Sequence, residues 1–251
     1  RAEQLLEAGA GIIDVGGESG VTNRSALDAD EEIGRVLPLV RRMLRLGAVV
    51  SVDTWKVPVA RAVLEAGAHL LNDVSGLRDV GLARACADTG AGLVVTHTRA
   101  EPKHKEFPLY DDVVADVVGF LEERLARAEA HGVAPERLVV DPGPDFAKTP
   151  AETIAVLRRL DAVVALGRPV LLAVSRKDFI GALIRRRPRA RDAGTLAAIC
   201  AGLDAGAAIM RVHDVTAVHD YLTVRRAMRG EEAVPDDLWL PEDLRHEQQR
   251  P

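Results

Sequence analysis

A unit made of a helical stretch, a glycine, a short apolar run and a polar tip recurs seven times in this chain, and that recurrence constrains the fold more than any other feature. Gly9-Ala10 stands before IIDVGG, Gly47-Ala48 before VVSVD, Gly67-Ala68 before HLLNDVSG and Gly90-Ala91 before GLVVTHTR. Gly132 precedes RLVVDPG, Gly167 precedes PVLLAVSRK and Gly206-Ala207 precedes AIMRVHD. Glycine just past a helix takes the left-handed cap conformation without a Cβ penalty, so each of these marks a helix end. The runs that follow are apolar almost without alternation, which is the pattern of a strand covered on both faces in a parallel sheet.

Stretches of helical period lie between the runs, among them EEIGRVLPLVRRMLRL, VPVARAVLEA, DDVVADVVGFLEERLARAEA, AETIAVLRRLDAVVAL and RDAGTLAAICAGLDA. Such alternation predicts right-handed crossovers and either a barrel or a doubly wound sheet. The polar tips decide for the barrel. Asp14, Asp53, Asn72, His97, Asp141, Ser175 with Lys177, and Arg211 with His213 are spread over all seven runs, whereas a doubly wound sheet gathers such residues near one switch point. GGESG also lacks the G-x-G-x-x-G spacing. The expected fold is α/β, a TIM (β/α)8 barrel. Seven strands are counted, and RAEQLLEAGAG reads as the second half of an amphipathic helix, so the first strand is expected to be missing from this sequence. An open ring of that kind exposes two strand edges. Residues 1–229 form the barrel, and residues 230–251, GEEAVPDDLWLPEDLRHEQQRP, read as an acidic, proline-containing tail that docks at most its Leu238-Trp239-Leu240 knot.

A formal charge of -5 gives no field that would gather nucleic acid or an anionic membrane, so any anion must be bound locally. The basic run Arg185 to Arg191 reads as a solvated loop between two helices. No apolar stretch approaches the ~20 residues of a membrane span, and no leader pattern begins the chain, which makes a cytoplasmic protein the expectation. Cys86 and Cys200 lie in Ala-rich helices as small core residues, no His or Cys pair is spaced like a zinc site, and there is no G-x-S-x-G elbow. His69 reads as packing at the lower rim, and His104 and His131 as solvated loop residues.

The rim chemistry has two parts. Asp14, Asp53, Asp141 and Asn72 can accept and donate along the edge of a flat heterocycle rich in N–H groups, and a pterin has such an edge. Lys177, Arg211 and His213 suit a phosphate or pyrophosphate, which barrels of this kind often bind near their last strands. Each Asp taken alone could equally cap the helix that follows it, as in DVTAV after His213. It is the set of tips together that points to a heterocycle carrying an anion.

From Arg1 to about Met228, the ordered segments IIDVGGES, SVDTWKVPVARAVLEAGAHLLNDVSGL, THTRAEPK, DPGPDFAKT, SRKDFIGAL, AGTLAA and RVHDV resemble the dihydropteroate synthase family. The resemblance implies condensation of 6-hydroxymethyl-7,8-dihydropterin pyrophosphate with p-aminobenzoate, giving 7,8-dihydropteroate and pyrophosphate for folate synthesis, with sulfonamides competing for the aminobenzoate site. It implies that Asp53, Asn72, Asp141 and Lys177 bind the pterin edge, with Arg211 over the ring. Ser175, Phe146 and Lys177 would face the aminobenzoate, Arg211 and His213 would hold the pyrophosphate, and Lys177, Arg211 and His213 would be catalytic. It also implies Mg²⁺ and a homodimer formed through TLAAICAGL and TAVHDYLTVRRAM.

The chain departs from the family pattern in three places. The first-strand loop, N-x-T-P-D-S-F, with its metal-binding Asn, has no counterpart, so no metal ligand is assigned. GGES is followed by Gly20, Val21 and Thr22 where T-R-P-G is usual, with Asn23 and Arg24 as candidate substitutes. Pro144 and Asp145 replace a usual Ile-Gly, and an extra carboxylate there is expected to repel aminobenzoate. The alternatives are a paralogue that binds pterin with another acceptor or none, a pterin-dependent methyltransferase, and a barrel kept as a non-enzymatic subunit.

Overall fold

All seven apolar runs form parallel strands. In the computed structural model, which describes residues 1–18 and 25–245, they are β1 (Ile13–Gly16), β2 (Val50–Asp53), β3 (Leu70–Asp73), β4 (Gly92–Thr96), β5 (Leu138–Asp141), β6 (Leu171–Leu172) and β7 (Ile209–Met210). Strands β1 to β5 pair in sequence order. A bridge from Val140 to Val170 passes the order on to β6, which pairs with β7. Among the described residues no pairing joins β7 back to β1, so the ring of a (β/α) barrel is open at one seam.

Helices cover the outer face: α1 (Ala2–Glu7), α2 (Ala29–Arg45), α3 (Val57–Glu65), α4 (Gly81–Thr89), α5 (Val113–Ala130), α6 (Pro150–Arg158), α7 (Leu160–Val164), α8 (Asp178–Ile184), α9 (Asp192–Asp204) and α10 (Val215–Met228). Their starts are written locally. Asp28, Asp112 and Asp214 accept from the first-turn amides of α2, α5 and α10, and Thr149 forms a capping box with Glu152 at α6. The helical stretch from Ala151 to Leu166 breaks at Arg159 into α6 and α7. No helix among the described residues is long and apolar enough to cross a membrane.

There are two cores. The larger one lies between strands and helices and contains Val52, Leu71, Leu93, Val140 and Leu172. A small one of Val94, Leu171 and Ala173, with Leu70, Val139 and Ile209 against it, fills the inside of the ring. Period-2 alternation along each strand sorts side chains between these cores, so residues two beyond an inner-core residue stand above it at the mouth. Residues beyond α10 carry no further α-helix or strand as far as Arg245, and Leu238, Trp239 and Leu240 are exposed instead of docked.

Candidate functional site

Strand parity builds one side of the mouth. Asn72 stands two residues beyond Leu70, Thr96 two beyond Val94 and Asp141 two beyond Val139, each above an inner-core side chain. Register sets them side by side, with Asp53 opposite Asn72 and Thr96 opposite Asp141. Asp14, the second residue of β1, lies 3.5 Å from the Asn72 amide. The same parity turns the next residue outward. Asp73 is fully buried, and its carboxylate accepts from the Ser75 and Leu77 amides. His97, expected among the mouth tips, also points away: it is fully buried against Phe120 of α5, with Nε2 2.9 Å from Asp116.

Burial shapes the charges here. Asp53 is pushed up to about 7, first by burial and then by the neighbouring carboxylate of Asp14, against the pull of Arg211. Asp141 is raised by burial although its carboxylate accepts from the Gly143 amide at 2.7 Å. Among the described residues, Asp14 Oδ1, Asn72 Oδ1 and Thr96 Oγ1 are buried and have no hydrogen-bond partner. Buried polar atoms are rarely left so, and these three come from strands lining one mouth.

Cations form the other side. Arg211 follows β7 and reaches across the open seam, with Nε 2.7 Å from Asp14 and a terminal nitrogen 3.4 Å from Asp53. The ammonium of Lys177 sits 4.4 Å over the Phe146 ring, a cation–π contact, and burial lowers its pKa against the pull of Asp141 and Asp145. His213 and Ser175 meet with Nδ1 and Oγ 2.9 Å apart, and the same hydroxyl accepts from the His213 amide at 3.2 Å. Burial, helped by Arg176 and Arg211, lowers the His213 pKa and so favours the neutral ring. A cavity of ≈ 1430 Å³ joins Asp14, Asn72, Lys177, Arg211 and His213 and runs into the seam beside Ile209.

This cationic side is held by residues that sequence reasoning did not single out. Arg191, the last arginine of the basic run, is buried rather than solvated and donates to the carbonyls of Arg176, Lys177 and Arg186. Adding a Cβ at Gly181 would place it 2.3 Å from that guanidinium. Lys148 is buried, and its ammonium donates to Gly143 O, Phe146 O and Nδ1 of His97 at 3.0, 3.1 and 2.6 Å. Burial pushes the Lys148 pKa down to about 7, and the His97 ring stands between that amine and Asp116. Asp116 in turn takes a fork from Arg99. At Gly143 φ is +65° and an added Cβ would lie 2.0 Å from the His97 carbonyl, so the turn after β5 admits only glycine. Glu18 of the GGES segment is pinned by Lys56 at 2.7 Å and Lys103 at 2.9 Å, and Lys56 also holds the buried Glu32. Gly20, Val21, Thr22, Asn23 and Arg24 lie outside the described residues.

Asp145 is not the free repelling carboxylate expected. It accepts from the backbone amides of Asp178 at 2.5 Å and Phe179 at 3.2 Å, at the start of α8. Among the described residues no group of three or more His, Cys, Asp or Glu is placed to hold a metal, and the nearest mouth acid, Asp14, already faces Arg211. Among the described residues, then, no dedicated protein cage for Mg²⁺ is seen.

A parallel barrel whose mouth sets carboxylates and an amide against cations defines a binding enzyme for a flat heterocycle with an anionic arm. The sequence profile described as "Pterin binding enzyme" matches residues 1–213. The dihydropteroate synthase of Bacillus subtilis is 39% identical over 216 residues, spanning 85% of this chain and 74% of that protein. Among solved structures, Xanthomonas albilineans dihydropteroate synthase with 4-aminobenzoic acid superimposes with a TM-score of 0.86 at 41% identity, covering 93% of this chain and 83% of that one. The Thermus thermophilus enzyme in complex with 6HMPPP gives 0.82 at 42% identity, covering 90% and 86%. The chain belongs to the pterin-binding enzyme family, and its relatives are dihydropteroate synthases.

Proposed function

We infer that this protein is a dihydropteroate synthase that joins 6-hydroxymethyl-7,8-dihydropterin pyrophosphate to p-aminobenzoate. The observation that carries the site assignment is the row of unpartnered buried atoms on Asp14, Asn72 and Thr96, opposite a cluster of cations. A pterin edge supplies N–H donors to such atoms, and Asp53, Asn72 and Asp141 take that edge with Lys177 beside it. Arg211 lies over the ring and, with His213, holds the pyrophosphate. Phe146, Lys177 and Ser175 receive the aminobenzoate.

In the reaction the amine lone pair forms a C–N bond to the pterin methylene carbon. The C–O bond breaks with its electron pair staying on the pyrophosphate oxygen, and the amine releases its proton to solvent or to that pyrophosphate. Positive charge develops into the pterin as the anion leaves, so the carboxylates steady the ring while Arg211 and His213 stabilise the departing oxygens. Neither side needs a protein nucleophile; catalysis here is placement of two substrates in a charged mouth. Mg²⁺ would act, if bound, through the pyrophosphate, since the described residues hold no ready donor set for it. Exposed Val224 and Met228 on α10 support a homodimer through that helix, which sedimentation velocity would test.

The direct experiment mixes the purified full-length protein with dihydropterin pyrophosphate, Mg²⁺ and p-aminobenzoate. Dihydropteroate with release of one pyrophosphate is expected. Pterin binding without product would select the paralogue with another acceptor, and no pterin binding would reject the assignment.

A further inference from the structure

Asp145 stands in the β5–α6 loop, and its side chain leaves that loop altogether. Its carboxylate accepts from the amides of Asp178 and Phe179, which follow β6, while its own amide donates to Thr153 Oγ1 at 3.1 Å. The residue is in the left-handed region at φ +62°, a strained setting for a non-glycine residue that the surrounding bonds hold in place. Its chain neighbour is Phe146, and the neighbour of Asp178 is Lys177. The two residues that make the cation–π pair at the acceptor side are thus each adjacent to one end of the same carboxylate–amide clamp.

We propose that Asp145 is a positioning residue for the acceptor substrate: it bolts the β5–α6 loop to the turn after β6, and so fixes Phe146 and Lys177 as one preformed slot for an aromatic carboxylate. Two further bonds make the slot rigid only if the clamp is present. Lys148, itself tied to His97 beyond β4, holds the Phe146 carbonyl, and Arg191, the residue before α9, holds the Lys177 carbonyl. Each loop is therefore anchored to its own surroundings, and Asp145 anchors one loop to the other. The position of the carboxylate also answers the charge problem. Its oxygens face two N–H donors, so the acceptor's carboxylate meets Lys177 and not an unpaired anion.

The proposal rests on the synthase reading, and the test separates the two. Steady-state kinetics would be measured for wild type, Asp145→Ala and Asp145→Asn. Wild-type formation of dihydropteroate tests the synthase reading alone. For Asp145→Ala the KM for p-aminobenzoate is expected to rise about tenfold, with the KM for dihydropterin pyrophosphate within about twofold of wild type. Asp145→Asn keeps an acceptor oxygen and should recover most of the loss. An aminobenzoate KM that is unchanged or lower in Asp145→Ala would overturn the proposal, as would equal rises in both KM values, which mark a merely structural role. Amide hydrogen exchange at Asp178 and Phe179 gives a readout independent of turnover. Faster exchange at those two amides is expected in Asp145→Ala, or in Asp145→Gly, which suits the positive φ, if Ala does not fold, with Asp145→Asn close to wild type; unchanged protection in the variant lacking the acceptor rejects the clamp whether or not the enzyme is a synthase.

Discussion

The two sides of the mouth are built by different means. On the β1 to β5 side, strands of four or five residues pair in continuous register, and parity alone sets Asp14, Asp53, Asn72, Thr96 and Asp141 facing inward. On the β6–β7 side the strands are two residues long, and the residues that matter come from the turns beyond them. Those turns, and the β5–α6 loop that faces them, are fixed by single side chains: Arg191 on the carbonyls before and at Lys177, Asp192 forking Arg176, and Lys148 on the Phe146 carbonyl. The lesson is about rigidity per residue. A ladder shares the task of positioning among many backbone bonds, while a staple concentrates it in one side chain, so single substitutions should damage the second side far more.

The largest effect tests whether the sides are separable in function. Lys177→Ala removes the ammonium over Phe146 and is expected to lower kcat at least about 100-fold, the scale of losing one charged transition-state contact. Pterin affinity, carried by the strand side, should weaken by no more than about tenfold, and the far-ultraviolet dichroism should not change, because a rim lysine buries little apolar area. Wild-type-like kinetics would break the division at once. Loss of pterin binding as severe as the loss of turnover would show that the two sides act as one.

A smaller effect concerns the staple itself. Lys148→Met replaces a buried ammonium by a chain of similar length and leaves Gly143 O, Phe146 O and His97 Nδ1 without their donor. The expected cost is about 1–3 kcal/mol of stability, the scale of leaving buried acceptors without their donor, set against the relief of no longer burying an amine whose pKa is pushed down to about 7. Urea unfolding with an unchanged m-value measures it. A loss below about 1 kcal/mol would mean that the network is as weak as a surface pair, and the contrast between ladder and staple would lose its energetic basis.

This contrast also explains what could be read from the sequence. The strand side was legible because its signals are periodic and local. Gly47, Gly67 and Gly90 mark helix ends, and the apolar runs after them became β2, β3 and β4. His97 was misread only because tips were counted without parity. Thr96 and His97 are neighbours, so a strand cannot aim both at the mouth, and the inner side of Val94 selects Thr96. The staple side was legible only as far as SRK and DPGPDFAK mark turns. Arg191 sits in a run whose other arginines are solvated, and nothing in RRRPRAR distinguishes the one that turns inward. Asp145 caps amides more than 30 positions away along the chain, a relation with no periodic trace. The break at Arg159 was likewise hidden, because the apolar spacing continues through it.

The smallest effect sharpens the comparison on the strand side, through Asp53. Its folded pKa of about 7 lies above the ordinary value of 3.8, so between these two values the native state keeps a proton that the unfolded chain has released. The unfolded state then binds fewer protons, and stability falls as pH rises through that window. His97 opposes this. Its pKa is lowered to about 3, chiefly by burial, so stability on its account falls as pH drops below 6.5. The raw melting curve therefore mixes slopes of both signs, with Asp141 raised like Asp53 and His213 lowered like His97, and the difference between wild type and Asp53→Asn isolates the Asp53 contribution, since the other groups are common to both. Asp53→Asn should gain on wild type as pH is raised from 4 to 7, by roughly 2–4 °C in Tm for each ~1 kcal/mol of this linkage in a chain of this size. A difference that stays flat over that range would show that Asp53 is ionised throughout. Arg211 would then be acting as its salt-bridge partner across the seam, and the ladder side would depend on a staple as well.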